Sequence, residues 1–299
     1  MQREFANWRA EYLARAAGQG ISADTIARAK PFLTYNQKVI TLDQKQPEVT
    51  QTYAQYLAAT VTPARIAKAR EAYRANAPLL HQLEQQYGVP GQVIVALWAK
   101  ESDFGRVQGN YNILSALATL AYDGRRQELF ETELTNALRM IGRGVKPEDL
   151  TGSWAGAMGQ CQFMPSSYLK YAVDMSGKGY ADIWGANADA LASIANYLHQ
   201  NGWKPDLPIV TQAALSKDFN PDWTQKKLEL PVRDWQNRGV VQPSGVDASL
   251  MAATATVVQP DGMGNQAFLA YDNYRVLMRW NHSSYFALAV ATLAGQINP

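Results

Sequence analysis

The chain has 299 residues, 47% of them hydrophobic and 18% charged, which is enough for one large domain or two smaller ones. Twenty-eight basic against 26 acidic residues leave a formal charge of +2 without a dense basic run. Nothing in that balance calls for nucleic acid as a partner, although a mildly basic surface suits an anionic polymer. A single cysteine, Cys161, excludes an intramolecular disulfide and a cysteine-rich metal site, and no run reaches the ~18–20 apolar residues that span a bilayer.

The opening "MQREFANWRAEYL" has neither the apolar stretch of a signal peptide nor a cysteine to acylate. The sequence therefore reads as a soluble globular protein, and an exported form would have lost its targeting segment. "FANWRAEYLARAAGQGI" spaces its apolar residues as an amphipathic helix closed by Gly18 or Gly20. "SADTIARAKPFL" begins with an N-cap at Ser22 and stops at Pro31. "YNQKVITLDQKQPEVTQ" shows little helical period and is expected to be extended or loop. "TPARIAKAREAYRANAPLLHQLEQQYG" predicts a single helical block with Pro63 in its first turn and Gly88 as its stop.

From Val89 to His199 the pattern stays helical, with glycine-rich loops between helices: "ESDFGRVQGNYN", "DGRR", "TGSWAGAMGQ" and "MSGKGYAD". Between about Gly202 and Gln259 the runs "LPIVTQAAL", "KKLELPV" and "TATVV" predict a small strand-containing insert. The end, "YRVLMRWNHSSYFALAVATLAGQI", returns to helix with Ser283 or Ser284 as N-cap. The expected architecture is mainly α: an N-terminal helical region (1–88), a helical core (89–201), a mixed or β insert (202–270) and a C-terminal helix returning to the core (271–299).

Three stretches carry candidate chemistry. In "VIVALWAKESDFGR", seven apolar residues lead to Lys100 and Glu101. A helix apolar on nearly every side must be buried, and both partial burial and the negative pole at its end disfavour a charged carboxylate. Glu101 could then keep its proton and donate it, with Gly105 turning the chain so that the acid faces a cleft. An ordinary solvated glutamate fits the local pattern equally well. "GSWAGAMGQCQFMPSSY" sets Gly152, Gly156 and Gly159 among Ser153, Gln160, Gln162 and Phe163, with no charge from Thr151 to Tyr168. Such hydroxyls and amides suit sugar hydroxyls and N-acetyl groups, whereas a purely structural glycine loop would serve helix packing. "RWNHSSYF" places Asn281 and His282 before a helix, between Trp280 and the rings of Tyr285 and Phe286; capping and core packing would explain it as well. The 15 Tyr and 8 Trp would also serve a groove that stacks on sugar rings.

These stretches, in this order, resemble the lytic murein transglycosylases of the membrane-bound transglycosylase B family, whose fold is lysozyme-like. The resemblance runs from "YNQKVITLDQKQPEV" through "YGVPGQVIVALWAKESDFGR", "ILSALATLAYDGRRQELF" and "SIANYLHQNGW" to "NHSSYFALAV". It implies cleavage of the β-1,4 bond between N-acetylmuramic acid and N-acetylglucosamine in peptidoglycan, leaving a 1,6-anhydro ring, with Glu101 as acid and then base. The two-carboxylate scheme of ordinary glycosidases would not apply. Ser153, Gln162, Phe163, Tyr197, Asn281 and Tyr56 are implied to contact the glycan, and Arg125 and Arg126 to meet the acidic stem peptide. A lysozyme-type hydrolase and an inactive peptidoglycan-binding scaffold are the alternatives. The family implies a periplasmic location, glycan strands and cell-wall synthases as partners, and no cofactor. Tyr in some members is Trp280 or Phe286 here. Some relatives bind calcium in a loop that "DMSGKGYADIW…AD" matches, but Lys178 replaces an acidic ligand and disfavours the ion. Asp103, two residues past Glu101, would point away on a continuing helix, and Cys161 is expected to be a small buried residue.

Overall fold

The computed structural model describes residues 2–45, 51–242, 245, 247–262, 264 and 266–297. It is mainly helical, with one five-stranded sheet late in the chain. Two compact units are present: one of Met1–Val49 with Trp98–Asn196, the other of Thr50–Leu97 with Tyr197–Pro299, so the division falls inside two helices.

The first unit opens with α1 (Gln2–Gly18) and α2 (Ala23–Ala29), which Ser22 caps by accepting the Thr25 N–H at 3.1 Å. A short 3₁₀ turn at Lys30–Phe32 then ends the segment at Pro31, as the sequence predicted. The expectation of loop at 35–51 fails in part: α3 (Gln37–Gln44) is helical, and its remainder at 46–50 lies outside the described residues. Asn36 caps α3, and Val39, Ile40 and Asp43 are its buried face. Eight residues give a periodicity too short to read, so packing against a neighbouring helix sets the conformation.

The second unit begins with α4 (Tyr53–Thr60), which carries a capping box between Thr52 and Gln55. The single block expected next is two helices, α5 (Pro63–Ala75) and α6 (Ala77–Tyr87). They break at Asn76, because Pro78 lacks an N–H and disfavours helix in the residues before it. Gly88 ends α6 in the left-handed conformation. α7 (Gly91–Ser102) crosses the division between the units, and Val93–Ala99 are all buried.

Back in the first unit, β1 (Tyr111–Asn112) leads into α8 (Ile113–Asp123) and α9 (Gln127–Gly142), which pack on each other. Alpha8 is buried at nine successive positions, Ile113–Ala121, and forms the centre of this unit with α1, α3 and α9 around it. β2 (Thr151–Gly152) pairs antiparallel with β1. α10 (Pro165–Tyr171) has no cap of its own. Glu133 of α9 supplies one, accepting from the Ser166 N–H at 2.9 Å and its hydroxyl at 2.6 Å. α11 (Asn187–Gln200) follows.

In the second unit, β3 (Val210–Leu215) precedes α12 (Asp222–Gln225), β4 (Leu230–Pro231), α13 (Val232–Gln236) and β5 (Val240–Val241). Next come β6 (Thr254–Val258) and β7 (Ala267–Ala270), giving the antiparallel order β4-β6-β7-β3-β5. Trp235, fully buried, anchors this sheet's core and donates to the Ala255 carbonyl at 2.8 Å. α14 (Asp272–Trp280) and α15 (Ser284–Gly295) finish the chain, with Ser283 as the N-cap of α15.

Candidate active site

Glu101 sits in the last turn of α7, partly buried, two residues after the buried run Val93–Ala99. The helix does not continue past Ser102. Asp103, Phe104 and Gly105 are all left-handed, at φ 48, 62 and 83°. Two of the three are not glycine, so this turn is strained by an amount of order 1–3 kcal/mol per residue and needs its surroundings to hold it. Asp103 thus lies beyond the helix rather than on its continuation, and it pairs with Arg106 at 3.0 Å. The Glu101 carboxylate lies near Cys161. Burial first, then the Glu101 and Asp189 charges, push that thiol well above its ordinary value. Cys161 is fully buried, with Sγ 3.3 Å from the Ala190 carbonyl, which is no position for a nucleophile.

The glycine-rich loop folds against this turn. Gly109 is left-handed, and a Cβ there would lie 2.2 Å from the Gly152 carbonyl oxygen and 2.7 Å from the Ser153 nitrogen. Only glycine permits that approach. Ser153 Oγ accepts from the Ala155 and Ala157 N–H groups at 3.3 and 3.0 Å, so its lone pairs are used and its proton remains to be donated. Gln162, left-handed at φ 52°, donates Nε2 to the Gln108 and Gly159 carbonyls at 3.1 and 2.9 Å. Its Oε1 stays available as an acceptor. Phe163 is buried at 3% exposure and exchanges backbone hydrogen bonds with Met158.

Arg125 and Arg126 are half exposed, and both reach the buried carboxylate of Asp43 on α3, Arg126 at 2.8 Å. Arg126 also lies 5.0 Å over the Phe130 ring. The sequence reading missed Asp43 because it fell in a stretch expected to be loop.

The remaining candidates belong to the second unit. Tyr197 is buried and donates to the Arg279 carbonyl at 2.9 Å, with its ring 4.6 Å from Trp280 in an edge-on contact. Asn281 is exposed and ends α14. Tyr56 packs 5.6 Å from Tyr285, whose hydroxyl donates to Asp261; Asp261 also accepts the Tyr53 N–H at 2.8 Å.

The loop at 174–189 is organised around hydrogen bonds to its own carboxylates. Asp189, fully buried, accepts from Met175 N and Ser176 N at 3.0 and 2.8 Å through one oxygen. Its other oxygen accepts from Ser176 Oγ at 3.0 Å and Asp182 N at 2.6 Å. Asp174 accepts from Ser176 Oγ, Lys178 N and Gly179 N. The Lys178 ammonium lies 2.9 Å from Asp182.

A family model described as "Transglycosylase SLT domain" matches residues 4–295. Membrane-bound lytic murein transglycosylase B of Escherichia coli (strain K12) is 37% identical over 215 residues, 71% of this chain and 58% of the relative. The chain thus spans less than two thirds of that relative's length. SltB3 from Pseudomonas aeruginosa, solved in complex with NAG-anhNAM-pentapeptide, superposes with a TM-score of 0.94 at 36% identity, covering 98% of this chain and 79% of SltB3. Slt35 of Escherichia coli, solved in complex with calcium, gives 0.82 at 29% identity, covering 97% of this chain and 92% of Slt35. The 174–189 loop here does not fit that ion: its carboxylate oxygens already accept N–H and O–H donors, and an ammonium stands among them. The helical fold is that of the lysozyme-like lytic transglycosylases, and the chain belongs to the transglycosylase SLT domain family.

Proposed function

We propose that the protein is a lytic transglycosylase of peptidoglycan, cleaving the β-1,4 bond between N-acetylmuramic acid and N-acetylglucosamine. The observation that carries this reading is the carboxyl of Glu101 at the end of a helix whose run Val93–Ala99 is buried, in a chain so similar to a relative solved with an anhydro-muramyl product. Glu101 donates its proton to the glycosidic oxygen as the C1–O bond breaks, and the N-acetylglucosamine leaves as an alcohol. The substrate's own N-acetyl carbonyl covers the electron-poor C1. The muramyl 6-hydroxyl then attacks C1, and its proton returns to the Glu101 carboxylate. Acid, base and product stay balanced with no water consumed.

The other residues supply orientation. Ser153 has a proton to give to a sugar oxygen, and Gln162 a carbonyl oxygen to accept from a hydroxyl or an N-acetyl N–H. Phe163 is buried, so it would act by backing the loop, while Tyr197 would brace Trp280 as a stacking surface. Asn281 and Tyr56 would meet the glycan. Arg125 and Arg126 share the Asp43 carboxylate, and Arg125 also pairs with Asp123 at 3.3 Å; their half-exposed guanidiniums keep N–H donors that would meet a stem-peptide carboxylate. Such a substrate would place the enzyme in the periplasm, beside the cell-wall synthases. No described helix is long and apolar enough to cross a membrane. The test is mass spectrometry of digested sacculi: 1,6-anhydromuropeptides support the reading, whereas reducing-end muropeptides support hydrolysis instead.

A further inference from the structure

We propose that Gln160 is the positioning residue for Glu101, fixing the orientation of the last turn of α7. The proposal deepens the transglycosylase reading and rests on it. Gln160 appeared from the sequence to be one of the polar side chains offered to sugar. In the structure it is 2% exposed, and its side-chain oxygen and nitrogen are both engaged by protein.

The engagement is directed at the helix that carries the acid. Trp98 Nε1 donates to Gln160 Oε1 at 2.7 Å, and Ser102 Oγ donates to the Gln160 carbonyl at 2.8 Å. Residues 98 and 102 are four apart, on one face of α7, and flank Glu101 at the positions three before and one after it. Successive helical residues are about 100° apart, so gripping that face sets the direction in which Glu101 projects. The turn behind the acid is gripped too. Ser102 Oγ accepts the Gly105 N–H at 2.9 Å, and a Cβ on Gly105 would lie 2.7 Å from Gln160 Oε1. The left-handed residues Asp103 and Phe104 stand between these two fixed points, and Phe104 packs edge-on against Trp98 at 5.6 Å.

Gln160 is itself anchored on the far side. Its N–H donates to the Ile183 carbonyl at 2.9 Å, and Nε2 donates to the Trp184 carbonyl at 3.2 Å and to Asn187 Oδ1, on the first residue of α11, at 3.1 Å. One neutral amide therefore ties the end of α7 to the start of α11. A carboxylate cannot replace it, since it lacks the donor that Trp184 and Asn187 require.

The test uses Gln160→Leu, Trp98→Phe and their double variant, assayed on sacculi beside the wild type and Glu101→Gln. Asn273→Ala, which removes three hydrogen bonds to Lys204 and Leu207, serves as a destabilised control. The proposal expects kcat to fall about 10- to 100-fold in each single variant, with KM within about twofold. The double variant is no worse than either single one, because all three break one link. Asn273→Ala lowers the melting temperature and leaves kcat unchanged. A Gln160→Leu protein that melts early yet keeps its kcat overturns the proposal, as does additivity in the double variant. A crystal structure of Gln160→Leu decides the matter independently of activity: displacement of the Glu101 carboxylate supports the proposal, and an unmoved carboxylate overturns it. A wild type that releases no anhydromuropeptides would instead refute the assigned function.

Discussion

Asp189→Asn tests whether the 174–189 loop is held by a buried carboxylate rather than by an ion. The carboxylate accepts four hydrogen bonds, two on each oxygen. Asparagine keeps one oxygen, so two of those bonds survive but lose the assistance of the charge, at about 1 kcal/mol each. The new NH₂ group faces the other two donors. The Ser176 hydroxyl can rotate to accept from it, but the Asp182 N–H cannot, and a buried donor without an acceptor costs about 1–3 kcal/mol. The sum is about 3–5 kcal/mol, a large share of the ~5–15 kcal/mol that stabilises a folded protein. With a urea slope of about 3 kcal/mol per molar, the unfolding midpoint should fall by roughly 1 to 1.7 M. Calcium and chelators should move neither protein's midpoint. A fall below about 0.3 M, or rescue of the variant by calcium, would refute the reasoning.

Alkaline pH should unfold the protein through its buried tyrosines. Burial pushes the Tyr12 and Tyr168 phenols far above the ordinary 10.0 and Tyr274 up to about 12. Above pH 10 the unfolded chain binds fewer protons than the folded one. The stability these groups contribute is therefore whole below pH 10 and is lost as pH rises toward their folded values; a flat urea midpoint from pH 9 to 11.5 would contradict this. Iodoacetamide should label Cys161 only after denaturation, and Cys161→Ser should retain wild-type cleavage; labelling of native protein at the denatured rate would contradict the burial argument. Gly109→Ala should cost cleavage activity at least tenfold, because its Cβ would force the Gly152–Ser153 strand away. Unchanged kinetics would mean that Ser153 needs no such placement.

Much of this fold was legible because its signals are local. Ser22 and Ser283 by a capping hydroxyl, and Pro31, Pro63 and Gly88 by backbone constraint, each mark a helix boundary where the structure begins or ends a helix. The runs "LPIVTQAAL" and "TATVV" likewise gave β3 and β6. The central strand β7 was not legible. Ala267–Ala270 are all buried, so the run has no alternation to distinguish strand from helix. The opposite failure was α3, whose eight residues lack a readable period and fold against a partner supplied from far along the chain. At the site, the position of Glu101 followed from the apolar run before it. The groups that restrain the candidates did not: Asp43, Gln160 and Asp261 act on residues 20 to 80 or more positions away, and no local pattern reports such contacts.

The account turns on Glu101 as the one acid and base. The most direct measurement compares Glu101→Gln with the wild type on purified sacculi, scoring soluble muropeptides and, by cosedimentation, binding. Glutamine keeps the shape but can neither give up nor take back a proton in this chemistry. The account predicts that the variant sediments with sacculi as the wild type does and releases no anhydromuropeptides. Release at the wild-type rate would contradict it.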